Sequence, residues 1–532
     1  MKNKPGLKLP KRLREVTPSQ PTSQPQTVED WVEQGASEEE SGDRWIGSDL
    51  TKGLRFFQKA YVSYNEAIRA ISGGSSFSSS TVDAYYNISR LLFHVYNNYI
   101  KQEGVNVYSF ENVNEAIIGD NAVIQPLHKI VKAHEKAVNY IESTGGTIPL
   151  DLVYNIALVY TEEIETAQEN EIPFERVLEI GLNAERLFES LLTQQTAILQ
   201  KFIVDLSQGD EVEDVETSST DGNDTQFESE ESLQPPDIYE TILSSYRLVQ
   251  SILENVTHPE QVSQVRTLIE EFLQSVNSIE RELIQSFGEG NNQNSLIESI
   301  PQDLIHESKI IKTFIEGLLV NDLNALVQLW EGNGEDALPS IPETYMSFAD
   351  NIQSFLDRND INLDNLSTSE VYWNALTKMN NSYKSAQELL QIKLSSLKGQ
   401  GVDGIGALAA QISDIIIARS DIDLQRSQIT NYDPAIKHQQ VLLNNAKTFL
   451  KSAVNVANQS GGLRERATEK MLREKRKVDA VLRLCLIENK ITVTELDNII
   501  GRSRWANELP NLMRTGYFKR FGIESIEIPS AF

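Results

Sequence analysis

Apolar residues recur at intervals of three and four along most of this chain, and this period constrains its fold more than any other feature. Such spacing places the apolar side chains on one face of an amphipathic helix, whereas a half-buried strand alternates apolar and polar residues. Alternating patterns are nearly absent before the C-terminal residues, so the sequence predicts an all-α protein. The predicted helices cover residues 49–72, 82–102, 123–143, 150–168, 174–206, 237–255, 260–287, 302–330, 341–357, 368–396, 406–428, 434–458 and 463–489.

Composition divides the chain into five parts. Residues 1–44 lack hydrophobic periodicity and are rich in Pro, Ser, Gln and Glu, so we expect a disordered tail. Residues 207–235 hold ten Asp or Glu and no Lys or Arg, which predicts an extended acidic linker. Two segments of helical repeats, 45–206 and 236–462, flank this linker. Residues 463–532 follow as a C-terminal helix with a small module that either caps the repeats or forms a winged helix.

Internal repeats are the most specific feature of the helical segments. The hexapeptide DAYYNI at Asp83–Ile88 recurs as DLVYNI at Asp151–Ile156, 68 residues later, and more weakly as EVYWNA at Glu370–Ala375. This offset is twice the period of about 34 residues that tetratricopeptide repeats have. Each copy places an aromatic residue and an Asn near the start of a predicted helix.

A second pattern consists of a small residue, a large one four positions later, and a small one three positions after that. It occurs at Ala60, Tyr64 and Ala67, and again at Ala446, Leu450 and Ala453. A small residue allows two helices to approach closely, and the large residue fills the groove beside it. Ordinary helix packing can also produce this spacing at any single site.

On these residues the chain resembles the tetratricopeptide repeat family. Tyr154, Asn155 and Ala157 with Tyr160 match the first-helix motif of that family best, and Tyr86 with Asn87 repeats part of it. The resemblance extends over about 50–200 and 368–460, but the helices are longer than in the family and the proline at repeat ends is mostly missing. It implies a right-handed stack of antiparallel helix pairs with a concave, protein-binding groove. No row of lysines accompanies Asn87 and Asn155, so the carboxylate clamp of the family is not expected.

Motifs that carry catalysis or bind cofactors are missing from this sequence. The six histidines have no metal-ligand spacing, and a single cysteine, Cys485, cannot form a zinc cluster. A Gly-x-Gly-x-x-Gly pattern at Gly399, Gly401 and Gly404 follows a helical segment, whereas a dinucleotide site requires a preceding strand. We therefore expect no enzyme activity, no metal and no cofactor.

The charge balance favours a basic protein as the partner. The formal net charge is −29, which repels phosphate over most of the surface, so nucleic acid is not the expected partner. We expect a protein-binding scaffold that acts as a chaperone or assembly factor for a basic client. The absence of an apolar span of about 20 residues, of an apolar N-terminal signal and of cysteine pairs predicts a soluble protein of the cytoplasm. Basic residues 8–14 are either a nuclear localisation signal or a charged tail.

Two alternatives depend on the C-terminal segment. Residues 463–478 carry seven basic side chains on a predicted helix, which could bind RNA or DNA. Two short helices follow, and residues 523–528 alternate as a strand does, which together would make a small winged-helix module. Helical repeats followed by a winged helix would resemble the PCI scaffold proteins of the proteasome lid and of initiation factor complexes. The second alternative is therefore a structural subunit of a large complex.

Overall fold

The computed structural model describes residues 25–71, 79–207, 233–290, 296–332, 337–359, 365–400 and 403–526. These ranges contain eighteen α-helices and no β-strand, so the prediction of an all-α fold is confirmed. The helices are α1 (Val28–Ile46), α2 (Leu50–Ile71), α3 (Ser79–Val95), α4 (Asn114–Ile117), α5 (Leu127–Ser143), α6 (Leu150–Glu165), α7 (Phe174–Ser207), α8 (Pro235–Glu254), α9 (Pro259–Phe287), α10 (Gln302–Leu318), α11 (Leu323–Trp330), α12 (Pro342–Arg358), α13 (Leu366–Gln400), α14 (Ile405–Arg426), α15 (Asp433–Ala457), α16 (Ala467–Ile487), α17 (Val493–Ile499) and α18 (Arg502–Arg514).

Most predicted helices match the observed ones to within a few residues at each end. The predicted helix 302–330 is two helices, because Asp322 breaks it by capping α11 with its side chain on the backbone N–H of Ala325, 2.8 Å away. The predicted helix 82–102 ends in a π-helical turn at Tyr96–Ile100. Thr492 caps α17 through a capping box with Glu495.

The chain divides into two compact units that composition did not predict. Unit 1 contains the described residues of 141–256 and 260–315, and unit 2 contains the described residues of 25–140, 257–259 and 316–526. The predicted divisions at 206, 236 and 462 followed changes in composition, whereas a unit is defined by which helices pack together. Residues 8–14 and 208–232, predicted as a basic segment and as most of the acidic linker, lie outside the described residues.

Helix α1 replaces the end of the predicted disordered tail, so that prediction is wrong for residues 28–44. Thr27 begins the helix with a capping box, in which its hydroxyl accepts from the N–H of Asp30 at 3.1 Å. Gly35 and Gly42 lie against α2, where an added Cβ would be 2.4 Å from the ring of Tyr64 and 2.5 Å from that of Phe57. The absence of side chains at Gly35 and Gly42 is therefore what permits close packing of the two helices.

A buried polar group fixes α1 in place within unit 2. The carboxylate of Glu39 on α1 is 2.6 Å from the guanidinium of Arg90 on α3, and it accepts a hydrogen bond from the Tyr64 hydroxyl at 3.0 Å. All three side chains are nearly or fully shielded from solvent. Pairing of this kind is required before a carboxylate can be buried without a large desolvation cost.

The end of the chain contains no strand within the described residues, so the strand predicted at 523–528 is wrong for 523–526. Residues Ile523–Ser525 form a 3-10 turn after Gly522, whose φ is 73°. Ile523 and Ile526 are both buried, and a spacing of three places them on one side of such a turn. Together with Trp505 and Phe518 they join the apolar core that α13, α14, α15 and α16 form.

Candidate protein-interaction surface

The small–large–small triads of the sequence lie at close helix contacts. Ala60, Tyr64 and Ala67 on α2 are fully buried, and so are Ala446, Leu450 and Ala453 on α15. Ser413 and Ser420 on α14 donate hydrogen bonds to the carbonyl oxygens of Ala453 and Ala446, at 3.2 and 3.0 Å. Side chains as short as serine reach these backbone atoms only where two helices are very close.

The residues of the first-helix motif occupy more varied positions. On α6, Asn155 and Ala157 are buried, while Tyr154 and Tyr160 are partly exposed. The Tyr154 hydroxyl lies 3.0 Å from the hydroxyl of Ser244 on α8. Tyr86 and Asn87 on α3 are also partly exposed. The two copies therefore differ in burial at the asparagine, and the tetratricopeptide relation stays a prediction.

The basic C-terminal helix is largely occupied by ion pairs within unit 2. Arg473 on α16 binds Glu465 with two parallel contacts of 2.6 and 2.9 Å, and it donates to the carbonyl oxygen of Ala457 at 2.6 Å. A two-point contact between a guanidinium and a carboxylate fixes both side chains in orientation. Arg473 is buried, so its charge is not available to an external partner.

Two further cations of α16 share carboxylates from distant parts of the chain. Lys475 lies 3.0 Å from Glu508 and 3.4 Å from Glu103, while Arg476 lies 2.6 Å from Glu103 and 3.2 Å from Asp414. Burial alone would lower the pKa of Lys475, but the surrounding carboxylates outweigh it and hold this pKa above its usual range. Both cations therefore remain charged and paired.

Arg483 completes this network at the far end of α16. Its Nε is 3.1 and 3.0 Å from the two carboxylate oxygens of Asp421 on α14, and the Tyr517 hydroxyl donates to the same carboxylate at 2.9 Å. Burial raises the pKa of Asp421, while Arg483 and Tyr517 act in the opposite direction. The network thus joins α16 to its neighbours by paired charges, and it faces inward.

Sequence reasoning identified the cations of α16 but missed their partners. Apart from Asp479, which lies three or four residues from Arg476 and Lys475, the acidic partners lie between 8 and 373 residues away along the chain, so a local pattern links few of these pairs. Of the other four cations of the predicted basic segment, Arg464, Arg466 and Lys470 are exposed and Lys477 is partly exposed. The surface charge of this segment is accordingly much smaller than its composition suggests.

Unit 1 has an exposed acidic edge. It surrounds the turn between α6 and α7, where residues 162–179 contain seven Glu and one basic residue, Arg176. Five of these glutamates have exposed side chains: Glu165, Glu169, Glu171, Glu175 and Glu179. Arg176 pairs with Glu179 at 2.7 Å, and this pair is exposed. The density of glutamate was visible in the sequence, but its exposure was not.

The C-terminal ends of two helices, which carry a partial negative charge, lie at this edge. The side chain of Asn255, just beyond α8, donates to the carbonyl oxygen of Ile164 in α6 at 2.9 Å, so the two C-terminal ends are adjacent. Neither helix has a basic residue in its last turn, whereas acidic residues such as Glu165 and Glu254 occur there. Acidic side chains at a helix C-terminus are unfavourable, and a bound cationic partner relieves this repulsion.

Neither a group of metal ligands nor a membrane-spanning helix occurs in the part of the chain that the structure describes. No group of three or more His, Cys, Asp or Glu is arranged to hold a metal ion. No helix there is both long enough and apolar enough to cross a bilayer. The acidic edge, with its five exposed glutamates, is a candidate functional surface of unit 1.

Comparison with known proteins finds a yeast relative. A family model described as the YNL193W C-terminal domain matches residues 341–508, which run from the start of α12 into α18. The Saccharomyces cerevisiae protein named "Uncharacterized protein YNL193W" is 23% identical over 504 residues, covering 84% of this chain and 87% of that protein. No solved structure matches. The chain is thus similar to this yeast protein over most of both lengths, and its residues 341–508 are similar to the C-terminal domain of that protein.

Proposed function

We propose that this protein is a non-catalytic, protein-binding scaffold that serves as a chaperone or assembly factor for a basic client protein. The observation that carries the proposal is the acidic edge of unit 1. There, five exposed glutamates and the C-terminal ends of α6 and α8 concentrate negative charge. A lysine- or arginine-rich segment is the protein partner whose charge complements this surface.

The overall charge supports the same partner. A net charge of −29 creates a negative field that speeds the encounter with a basic protein and keeps copies of the scaffold apart. Contacts between exposed charges are screened by salt, so binding at this edge should weaken steeply as ionic strength rises. Within this proposal, the buried small residues between α1 and α2 and between α14 and α15 support a scaffold of the tetratricopeptide kind.

A nucleic-acid partner receives less support than a protein partner. Arg473, Lys475 and Arg476 lie on the helix that would contact phosphate, and each is engaged with carboxylates of the same unit. Neutralising phosphates requires cations that are free to approach them. The proposal therefore assigns these residues to the packing of unit 2.

A structural subunit of a stable complex is the second candidate. Ile436 and Val441 on α15 are 53% and 55% exposed, and apolar surface of this kind contributes to permanent interfaces. Such contacts depend little on salt because they contain no charge. Salt dependence consequently distinguishes the two candidates.

A binding experiment with matched variants tests the proposal. The probe is a lysine-rich peptide of about twenty residues, titrated into the full chain at about 50 mM and about 500 mM salt. Glu169→Gln with Glu175→Gln should weaken binding at low salt about fivefold or more. Glu270→Gln with Glu271→Gln on α9 removes the same charge from exposed positions elsewhere in unit 1 and should have less than a twofold effect. Equal losses in both variants, or binding that salt does not weaken, would contradict the proposal.

A further inference from the structure

A second charged surface, of the opposite sign, lies in unit 2. Lys52, Arg55 and Lys59 are spaced by three and four residues on α2, so their side chains emerge from one face of this helix. They line a groove of about 750 Å³, which Phe56 and Phe110 also line. A volume of this size is within the range of about 300–1,000 Å³ that is usual for ligand sites. In a chain with a net charge of −29, a groove with three cations is unexpected.

These three cations are not neutralised inside the protein. Among the described residues, no carboxylate forms an ion pair with Lys52, Arg55 or Lys59. Arg55 donates instead to the backbone carbonyl oxygens of Glu111 and Asn112, at 3.0 and 3.2 Å, which fixes its guanidinium beside the groove. This state contrasts with the cations of α16, which pair with carboxylates of the same unit.

Two carboxylates also line the groove, and neither offsets the cations directly. Asp49 accepts a hydrogen bond from the backbone N–H of Lys52 at 2.9 Å, which caps the first turn of α2. Glu111 is exposed, and its backbone carbonyl oxygen is the part that contacts Arg55. The three cations therefore outnumber the carboxylates, and at least one carboxylate is committed to the helix end.

Aromatic side chains give the groove an apolar component. Lys52 Nζ lies 3.3 Å from the ring centroid of Trp45, and Lys59 Nζ lies 5.2 Å from that of Phe56. Phe56 and Phe110 are partly exposed, and Tyr108, two residues before Phe110, is 76% exposed. Aromatic residues next to unpaired cations are typical of protein-binding surfaces, where the aromatic residue anchors and the charge orients the partner.

We propose that this basic groove, defined by Lys52, Arg55, Lys59, Phe56 and Phe110, is a docking site for an acidic protein segment that carries an aromatic or aliphatic side chain. The carboxylates of this acidic segment pair with Lys52 and Lys59, and its apolar side chain packs against Phe56 and Phe110. Charge complementarity selects this occupant, because none of the three cations forms an ion pair with a carboxylate within the described residues. The inference rests on no part of the proposed function, since that function uses glutamates of unit 1.

The test measures binding of the full chain to a fluorescent peptide of about twelve residues that contains Glu, Asp, one Phe and one Leu, at about 100 mM salt. Lys52→Gln with Lys59→Gln should weaken binding about tenfold or more, and Phe110→Ala should weaken it several-fold. Lys132→Gln with Lys136→Gln on α5 removes the same charge from exposed positions of unit 2 and should change the affinity less than twofold. A peptide with Gln and Asn in place of Glu and Asp should not bind.

Three results would overturn the proposal. The first is that the acidic peptide does not bind the unaltered protein at millimolar concentration. The second is that the control variant on α5 loses as much affinity as the groove variant, since binding would then follow net charge alone. The third is that a single-stranded DNA of equal charge binds as tightly through the same lysines, which would make the groove a phosphate site. Thermal unfolding of every variant is measured in parallel, and Lys59→Gln alone serves as the groove variant if the double variant does not fold.

Discussion

The ammonium group of Lys312 lies 2.5 Å from Oε2 of Glu280, a carboxylate whose side chain is only 2% exposed. Hydroxyls of Tyr239 and Tyr246 donate to the same carboxylate at 2.8 and 2.9 Å. Burial alone would raise the pKa of Glu280, but Lys312 and these hydrogen bonds outweigh it and lower this pKa. The core of unit 1 therefore contains a carboxylate that remains charged only because it is fully satisfied.

Lys312→Met should consequently lower the free energy of unfolding by about 3–5 kcal/mol, because it leaves a buried carboxylate without its counter-charge. Folding lowers the pKa of Glu280, so the ionised carboxylate stabilises the folded state at pH values above its pKa in the unfolded chain. This stabilisation is lost as the pH falls through the pKa of Glu280 in the folded state. Denaturant unfolding at pH 7 measures the effect. Lys309→Met, at an exposed position of the same helix, is the matched control and should change the free energy of unfolding only slightly. Equal effects in the two variants would show that the pair does not stabilise the core.

Glu185 on α7 should make unit 1 less stable as the pH rises. Its side chain is buried, and burial together with the nearby charge of Glu189 raises its pKa to about 7. Between the unfolded pKa of about 4.5 and this value the folded state holds the additional proton, so stability falls with increasing pH. Glu185→Gln should therefore stabilise the protein by on the order of 2–3 kcal/mol at pH 8 and have little effect at pH 4. A stabilisation that is the same at both pH values would contradict this explanation.

His134 on α5 should have the opposite dependence in unit 2. It is fully buried, its Nδ1 lies 2.9 Å from the carbonyl oxygen of Ile130, and burial lowers its pKa to about 4. The folded state therefore binds fewer protons than the unfolded state below about pH 6.5, and stability falls as the pH drops from there towards 4. In the His134→Leu variant this decrease should be absent, which amounts to roughly 3 kcal/mol of unfolding free energy between pH 6.5 and pH 4. The measurement is the difference in unfolding free energy between variant and unaltered protein at pH 7 and pH 4, and a difference independent of pH would exclude this role.

The docking of α1 on α2 should depend on a glycine. A Cβ at Gly42 would be 2.5 Å from the ring of Phe57, so Gly42→Val should displace α1 and expose residues 28–46 to proteases. Gly47→Ala is the control, because no atom lies within 4 Å of its added Cβ and its φ of −70° suits any residue. Limited proteolysis followed by mass spectrometry compares the two. Unchanged resistance in the Gly42 variant would show that the close approach of the helices is dispensable.

Helices were predictable from this sequence because their apolar period is local information. The same locality explains the errors. Gly35 and Gly42 disfavour an isolated helix, and only the rings of Tyr64 and Phe57 on another helix, which lie against them, show why they are tolerated. Residues 523–528 place three isoleucines among polar residues, which suggested a strand, yet Gly522 turns the chain so that Ile523 and Ile526 both meet the core.

The candidate site was predictable only in part. The glutamates between α6 and α7 are visible in the sequence, but their exposure depends on how these helices pack. The cations of α16 were visible too, and they suggested an exposed basic face. Several of their partners lie far away along the chain, 33 residues for Glu508 and Lys475 and 373 residues for Glu103 and Arg476, so only the folded chain reveals these pairs. Long-range pairing of charge is therefore the information that this sequence did not provide.

The most direct measurement of the central claim is affinity purification of the tagged full chain from its own cells at about 50 mM and about 500 mM salt, with the co-eluting proteins identified by mass spectrometry. The claim predicts one or two basic proteins that are lost at high salt. It also predicts that Glu169→Gln with Glu175→Gln loses them already at low salt, while Glu270→Gln with Glu271→Gln retains them. A stoichiometric set of partners that survives high salt and is the same in both variants would contradict the claim and make the chain a subunit of a stable complex.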